Sequence, residues 1–375
     1  MPEAHSRISL VPRLTGIDAA RGIAVIGMYL QHFGDSLPVS AIVSGNTTLL
    51  FVLCGGIAYS LMAQRSGFTG APQDFRTRML GRAVFIDLLG YLLIMLNTSF
   101  GVILPAYAVL FVAALVLVGR STRTLVISAV LLLFFAPPAM LLGLSLLGKT
   151  RLLADIAGGP LSGLALAPAF VVGMIIGRLD LNAVRTAGWL AVPGAVIFAV
   201  MWWFNGAVLP GFAKGFEAWL VTLMDTSMTP EAAMAAEQMK QFAPWPNNTD
   251  PAPWQMLFAS APHTASTFQT LTGLSLSLAV VGICLAAAQH FRSALLPFST
   301  IGRVPLTMYA AQFVVAWGLA LGGVELTQVA IPGRTIIIIV GAIALGMAVW
   351  ALRLNVLERA MRHVDRALGV DKKSI

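Results

Sequence analysis

Four polar side chains interrupt one apolar stretch, RLTGIDAARGIAVIGMYLQHFGDSL at 13–37: Asp18, Arg21, Gln31 and His32. At about 100° per residue, the eleven-residue separation of Arg21 and His32 is close to three helical turns. The two side chains therefore share a face, and Asp18, one turn before Arg21, falls near the same stripe. A rise of about 1.5 Å per residue sets His32 roughly 20 Å along the axis from Asp18. The helix thus carries a charged pair at one end and an imidazole towards the other. A neutral histidine can act as a general base near physiological pH, or as a transient acyl carrier. The plainer alternative is a structural imidazole near a helix end.

A second imidazole, His263, stands in Ala-Pro-His-Thr-Ala-Ser before another apolar run, among the hydroxyls of Thr264, Ser266 and Thr267. Those hydroxyls either belong to a reactive site, or Thr264 or Ser266 caps the following helix. Arg303 opens Arg-Val-Pro-Leu-Thr-Met-Tyr-Ala-Ala-Gln, where Pro305 suits a first helical turn and Tyr309 and Gln312 lie deeper. Asn46 and Thr47 begin the second apolar run. They either donate hydrogen bonds to a substrate or cap that helix. Asp87 is expected to pair with Arg82 or Arg21 as a structural bridge. No P-loop, dinucleotide fingerprint, HExxH or cysteine-rich metal motif occurs. Cys54 and Cys284 both fall inside apolar runs, so neither a disulfide framework nor a metal site is expected.

The elements that position these groups follow from composition. Of 375 residues, 58% are hydrophobic and 11% charged, against about 25% charged in soluble domains. The reading is an all-α polytopic integral membrane protein. Ten apolar runs mark spans near 17–37, 46–64, 83–97, 102–119, 124–144, 161–178, 186–206, 266–289, 304–322 and 335–352. The third is short and is expected to begin a turn earlier. An N-terminus in the cytoplasm puts 19 of the 24 Lys and Arg residues inside, leaving Lys149, Arg151, Lys214, Lys240 and Arg334 outside. Both termini are then cytoplasmic, in a cell inner (plasma) membrane. His32 and His263 share the outer level, while Asp18, Arg21 and Arg303 share the inner one. His5, His290 and His363 are cytoplasmic and incidental. The net charge of +8 is spread over short loops and suggests topology rather than nucleic acid. Residues 1–16 are polar and basic and read as no cleavable signal.

Pro137 and Pro138 should end or kink the fifth span, and Pro168 and Pro193 should bend the sixth and seventh, as packing kinks or around a cavity. The one long loop, 207–265, is extracytoplasmic, with two lysines against five acids. Phe212, Phe216, Trp219, Leu220, Leu223 and Met224 recur there at helical spacing, which predicts an amphipathic interfacial helix. Thr229-Pro230-Glu231 reads as the start of a second short helix. The Pro- and Trp-rich run 243–254 suits a lid or an interfacial anchor. The tail 353–375 predicts an inner-surface helix whose arginines meet anionic lipid or solvent.

Several blocks resemble a known family. Arg-Leu-x-Gly-Ile-Asp-Ala-Ala-Arg-Gly-Ile-Ala-Val-Ile-Gly-Met (13–28) resembles the opening span of transmembrane acyltransferases related to heparan-α-glucosaminide N-acetyltransferase. It is also similar to the bacterial YeiB-like membrane proteins. Residues 50–61, 262–266 and 301–309 are similar to that family's second span, late histidine motif and ninth-span signature. The resemblance implies a ten-helix core and transfer of an acyl group, usually acetyl, from cytoplasmic acyl-CoA to an extracytoplasmic envelope glycan or glycolipid. It maps Asp18 and Arg21 onto the signature's inner end. His32 stands where the eukaryotic members carry asparagine, and Gln312 where the ninth-span motif often carries histidine. Residues 33–45 hold no histidine, so His32 or His263 takes the catalytic place.

The inner residues Asp18, Arg21, Arg82 and Arg303 are then expected to hold acetyl-CoA or another acyl-CoA, its phosphates meeting the basic groups. His32 and His263 are expected to be catalytic, with Asn46, Gln312 and Tyr309 near the substrate or its oxyanion. No metal is expected, and homodimerisation is left open. The competing classes are a transporter or exporter of a small polar or lipidic substrate, and a non-catalytic membrane scaffold or sensor.

Overall fold

The computed structural model describes residues 14–34, 37–65, 73–147, 150–224, 253–324 and 331–368. Among these residues, all regular structure is helical. In chain order the helices are α1 (Thr15–Phe33), α2 (Leu37–Val43), α3 (Asn46–Arg65), α4 (Gln73–Met95) and α5 (Leu104–Leu117). They continue with α6 (Thr122–Leu147), α7 (Arg151–Ala157), α8 (Gly163–Ile176), α9 (Val184–Ala207) and α10 (Leu209–Met224). After a short 3-10 turn at Trp254–Phe258 come α11 (Thr267–His290), α12 (Leu296–Arg303), α13 (Pro305–Leu321), α14 (Arg334–Ala351) and α15 (Val356–Ala367).

Among the described residues, five helices are long and apolar enough to cross a membrane: Val39–Arg65, α6, α9, α11 and α14. A sixth is added if α12 and α13, which meet at 84°, form one broken span. Only 17% of the apolar window of α9 is buried within the protein. The side chains α9 exposes include Trp189, Val192, Val196, Trp202 and Trp203, and α14 similarly exposes Ile336, Ile337 and Val340. An apolar surface of this extent fits a membrane setting.

α1 is the axis of the bundle. It packs against α3, α11, α12, α13 and α14, and Asp18 is only 5% exposed. Glycines bring the neighbouring backbones close. A Cβ at Gly22 would lie 1.9 Å from the Phe298 carbonyl oxygen, and one at Gly302 would lie 1.8 Å from that of Asp18. Neither contact admits any larger residue, so α1 and α12 meet backbone to backbone.

Several expectations change. α4 starts at Gln73, well before the expected third span at 83. The ninth span is preceded by the separate helix α12, because Pro305 begins a new first turn after Val304 leaves helical geometry. α6 runs through Pro137 and Pro138 instead of ending there. Proline at 137 has no N–H for the Leu133 carbonyl four residues back, and the Thr267 hydroxyl donates to that carbonyl at 3.0 Å. The freed acceptor is thereby satisfied from α11. Pro168 and Pro193 lie inside α8 and α9, as the sequence places them within the sixth and seventh runs. α10 forms where the aromatic spacing predicts it. The expected helix at 229–231 and most of the run 243–254 lie outside the described residues.

The C-terminal helix α15 docks through two buried acids. Both backbone N–H groups of Leu306 and Thr307 donate to Glu358 Oε1, at 2.8 and 3.0 Å, and the Thr307 hydroxyl donates to Oε2 at 2.6 Å. Glu358 thus caps the N-terminus of α13, where unpaired N–H groups and the helix dipole favour an anion. Asp365 accepts from Arg82, with the closest contact at 2.7 Å.

Candidate functional site

The two histidines singled out in the sequence lie near one end of α1, where His263 bonds to Gln31, the neighbour of His32. Gln31, adjacent to His32, accepts a hydrogen bond from the Gly45 N–H at 3.3 Å through Oε1. This turns its amide nitrogen towards His263, whose Nε2 lies 2.6 Å away. The amide nitrogen can only donate, so His263 Nε2 accepts and the ring carries its proton on Nδ1. Burial in this apolar setting pushes His263 down to about 4, holding it neutral at physiological pH. His32 lies within electrostatic reach of His263.

The loop carrying His263 is held in an uncommon shape. His263 and Ala265 both have positive φ, 60° and 50°. For residues other than glycine, such values cost about 1 kcal/mol or more each and persist where neighbouring contacts impose them. The Thr264 hydroxyl donates to Ala261 O at 2.9 Å. The Ser266 hydroxyl donates to Ala259 O and accepts from the Gln269 N–H, capping α11. The hydroxyls around His263 therefore build the loop and its cap. Gly45, with φ +73°, packs against this loop: a Cβ there would lie 3.0 Å from the His263 nitrogen. A small void with room for about one water borders Gly45, Thr48, His263 and Gln269.

His32 is enclosed by rings. It stacks on Phe100 at 4.0 Å with 4° between planes, and Phe33 and Phe313 stand edge-on to it. Its Nδ1 is buried without a hydrogen-bond partner. The Gln312 amide lies beside it but completes no hydrogen bond of normal geometry through either its oxygen or its nitrogen. Gln312 is fully buried. Polar atoms left unpaired in a protein interior each cost about 1–3 kcal/mol, so their retention calls for a purpose.

The remaining candidates are placed differently. At the other end of α1, Asp18 stands between Arg21 at 3.7 Å and Arg303 at 3.8 Å. Arg21 also donates to Gly302 O at 3.3 Å, and the Arg303 guanidinium lies 5.7 Å from the centre of the Trp350 ring. Arg82 does not join this group, being engaged by Asp365 and by Met62 Sδ at 2.8 Å. Asp87 pairs with neither Arg82 nor Arg21, each of which has another acid. Its charged neighbour is Asp155, which accepts from the Tyr91 hydroxyl at 2.7 Å. Asn46 donates to Ile42 O at 2.8 Å and Thr47 to Val43 O at 3.0 Å, binding α3 to the turn before it. Tyr309 accepts from the Ile103 N–H at 3.0 Å and stacks on Phe51, so its hydroxyl serves the fold.

The part Gln31 plays is not legible from its residue type. The residue was visible as a polar member of α1, but its role depends on Gly45 and His263, which only the fold brings to it. Among the described residues, no group of three or more His, Cys, Asp or Glu side chains is arranged to hold a metal. Comparison of the chain with protein-family models, curated proteins and solved structures gives no match.

Proposed function

We propose that the chain is a membrane-embedded acyltransferase. It would move an acyl group, in the first instance acetyl, from cytoplasmic acyl-CoA to an extracytoplasmic envelope glycan or glycolipid. The proposal carries the ten-span topology and the cytoplasmic termini with it, in a cell inner membrane. The observation that supports it most is the hydrogen bond from Gln31, the neighbour of His32, to His263 at one end of α1, with the unpaired Gln312 amide beside His32. Two imidazoles within electrostatic reach suit proton transfer without a metal.

In this reading His32 is the general base. It takes the proton of the acceptor hydroxyl or amine through the unpartnered Nδ1. The acceptor's oxygen or nitrogen bonds to the thioester carbonyl carbon, the C–S bond breaks, and the thiolate leaves and is protonated. The Gln312 amide N–H is placed to meet the developing oxyanion. Gln31 fixes the ring of His263, whose Nδ1–H remains free to orient the acceptor. Arg21 and Arg303, held on either side of Asp18 by loose contacts of 3.7 and 3.8 Å, would turn their remaining N–H groups to the donor phosphates. Arg82, Asn46 and Tyr309 drop out of the site because each is spent on a structural partner. The void beside His263 holds about one water, so an acceptor sugar enters only when this end of the bundle opens.

The test is thioester cleavage. Purified protein should release free CoA thiol from acetyl-CoA, and His32→Ala should abolish the release while leaving the protein folded. One observation favours the transporter class: the 84° break between α12 and α13 has the form of a discontinuous span. Counterflow of a polar solute with no thiol release would decide for it.

A further inference from the structure

The C-terminal helix α15 separates its charges by face. Between residues 351 and 368 the acids are Glu358 and Asp365, and both are buried against the bundle, capping α13 and holding Arg82. They lie seven residues apart, two turns, on one side of the helix. Arg359, Arg362, His363 and Arg366 are all exposed and fall at i, i+3, i+4 and i+7, a continuous stripe. Leu357 and Met361 pack on the main core on the opposite side. With the acids engaged, the outward face is wholly basic, and Arg353 extends it in the preceding turn.

The position of the helix says what that face meets. Only four residues separate α15 from the end of α14, a helix whose apolar side chains face lipid. An extended chain of that length spans at most roughly 14 Å. The linker itself exposes Leu352 at 69% and Leu354 at 49%, and Val356 opens α15 at 61%. One docking acid sits at the start of α13 and the other reaches Arg82, so the helix lies along the ends of spans rather than among them. Apolar side chains beside an arginine stripe at this level match a bilayer interface.

We infer that α15 and the turn before it form a binding face for the phosphates of anionic membrane lipid. Leu352, Leu354 and Val356 would enter the acyl boundary, and Arg353, Arg359 and Arg362 would lie along the headgroups. The inference is independent of the acyl-transfer reading, because none of these residues belongs to the candidate site.

The test uses the full chain in neutral detergent, with lipid binding followed by native mass spectrometry. Phosphatidylglycerol is titrated against phosphatidylcholine, and glycerol phosphate serves as a soluble competitor. Wild type should prefer phosphatidylglycerol. The double variant Arg359→Gln, Arg362→Gln should lose about 30-fold of that preference, at about 1 kcal/mol per arginine. Arg359→Lys, Arg362→Lys should keep most of it. Both substitutions are on exposed positions, and unchanged thermal unfolding would show that the fold is intact. An undiminished preference in the glutamine variant would overturn the inference. So would displacement of the lipid by glycerol phosphate alone, which would make the face a soluble-anion site.

Discussion

The neutral state of His263 makes a quantitative prediction about pH. Its pKa is lowered from 6.5 to about 4 by burial. The sign follows from proton counting: between these values the unfolded chain holds a proton that the folded chain refuses. Folding stability from this group is therefore full above about pH 6.5 and is lost as pH falls towards 4. For these two pKa values the loss between pH 7 and pH 5 comes to about 2 kcal/mol. Other groups titrate over the same range, so the informative quantity is a difference. Unfolding free energy would be measured for wild type and His263→Gln in mixed micelles at both pH values. Glutamine does not titrate, so the variant should lack about 2 kcal/mol of the acid destabilisation. Equal pH slopes in the two proteins would mean that His263 titrates normally. The reasoning from its burial and its Gln31 partner would then be wrong.

Three further outcomes are expected. Gln31→Leu leaves the Gly45 N–H and His263 Nε2 without partners and should cost about 2–5 kcal/mol, read by the same unfolding assay. It should also raise the solvent exchange of the Gly45 amide. Thr267→Val strands the Leu133 carbonyl opposite Pro137 and should cost about 1–3 kcal/mol, while Thr267→Ser should recover most of it. Gly302→Ala places a methyl 1.8 Å from the Asp18 carbonyl oxygen, so α1 and α12 must separate. It should reduce the yield of folded protein far more than Gly341→Ala, where a Cβ meets nothing within 4 Å.

Much of the scaffold was legible because lipid-facing and buried helices declare themselves by apolar length, as α6, α9, α11 and α14 did. The polar stripe of α1 was legible for the same reason: charges in an apolar run stand out. Pairings were not. Asp87 and Arg82 are five residues apart in sequence, yet Arg82 bonds Asp365, 283 positions away, once α15 folds back. The prolines at 137 and 138 read as an end or a kink, and the fold supplies the Leu133 carbonyl with its lost donor from Thr267, 134 residues on from Leu133. Helix-ending chemistry depends on such partners, which a single sequence does not reveal. In the candidate region, His32, His263 and Gln312 were legible as polar residue types in or beside apolar runs. The part Gln31 plays was not, because its importance lies in what it joins.

The most direct test of the account is label transfer in sealed inside-out membrane vesicles containing the protein. Radiolabelled acetyl-CoA is added on the exposed cytoplasmic face, and label is followed into the lipid and glycan extract of the lumen. The account predicts lumenal label with wild type and none with His32→Ala, with His263→Ala strongly reduced and all three proteins folded. Label that never enters the lumen with wild type, or that enters equally with His32→Ala, would contradict it.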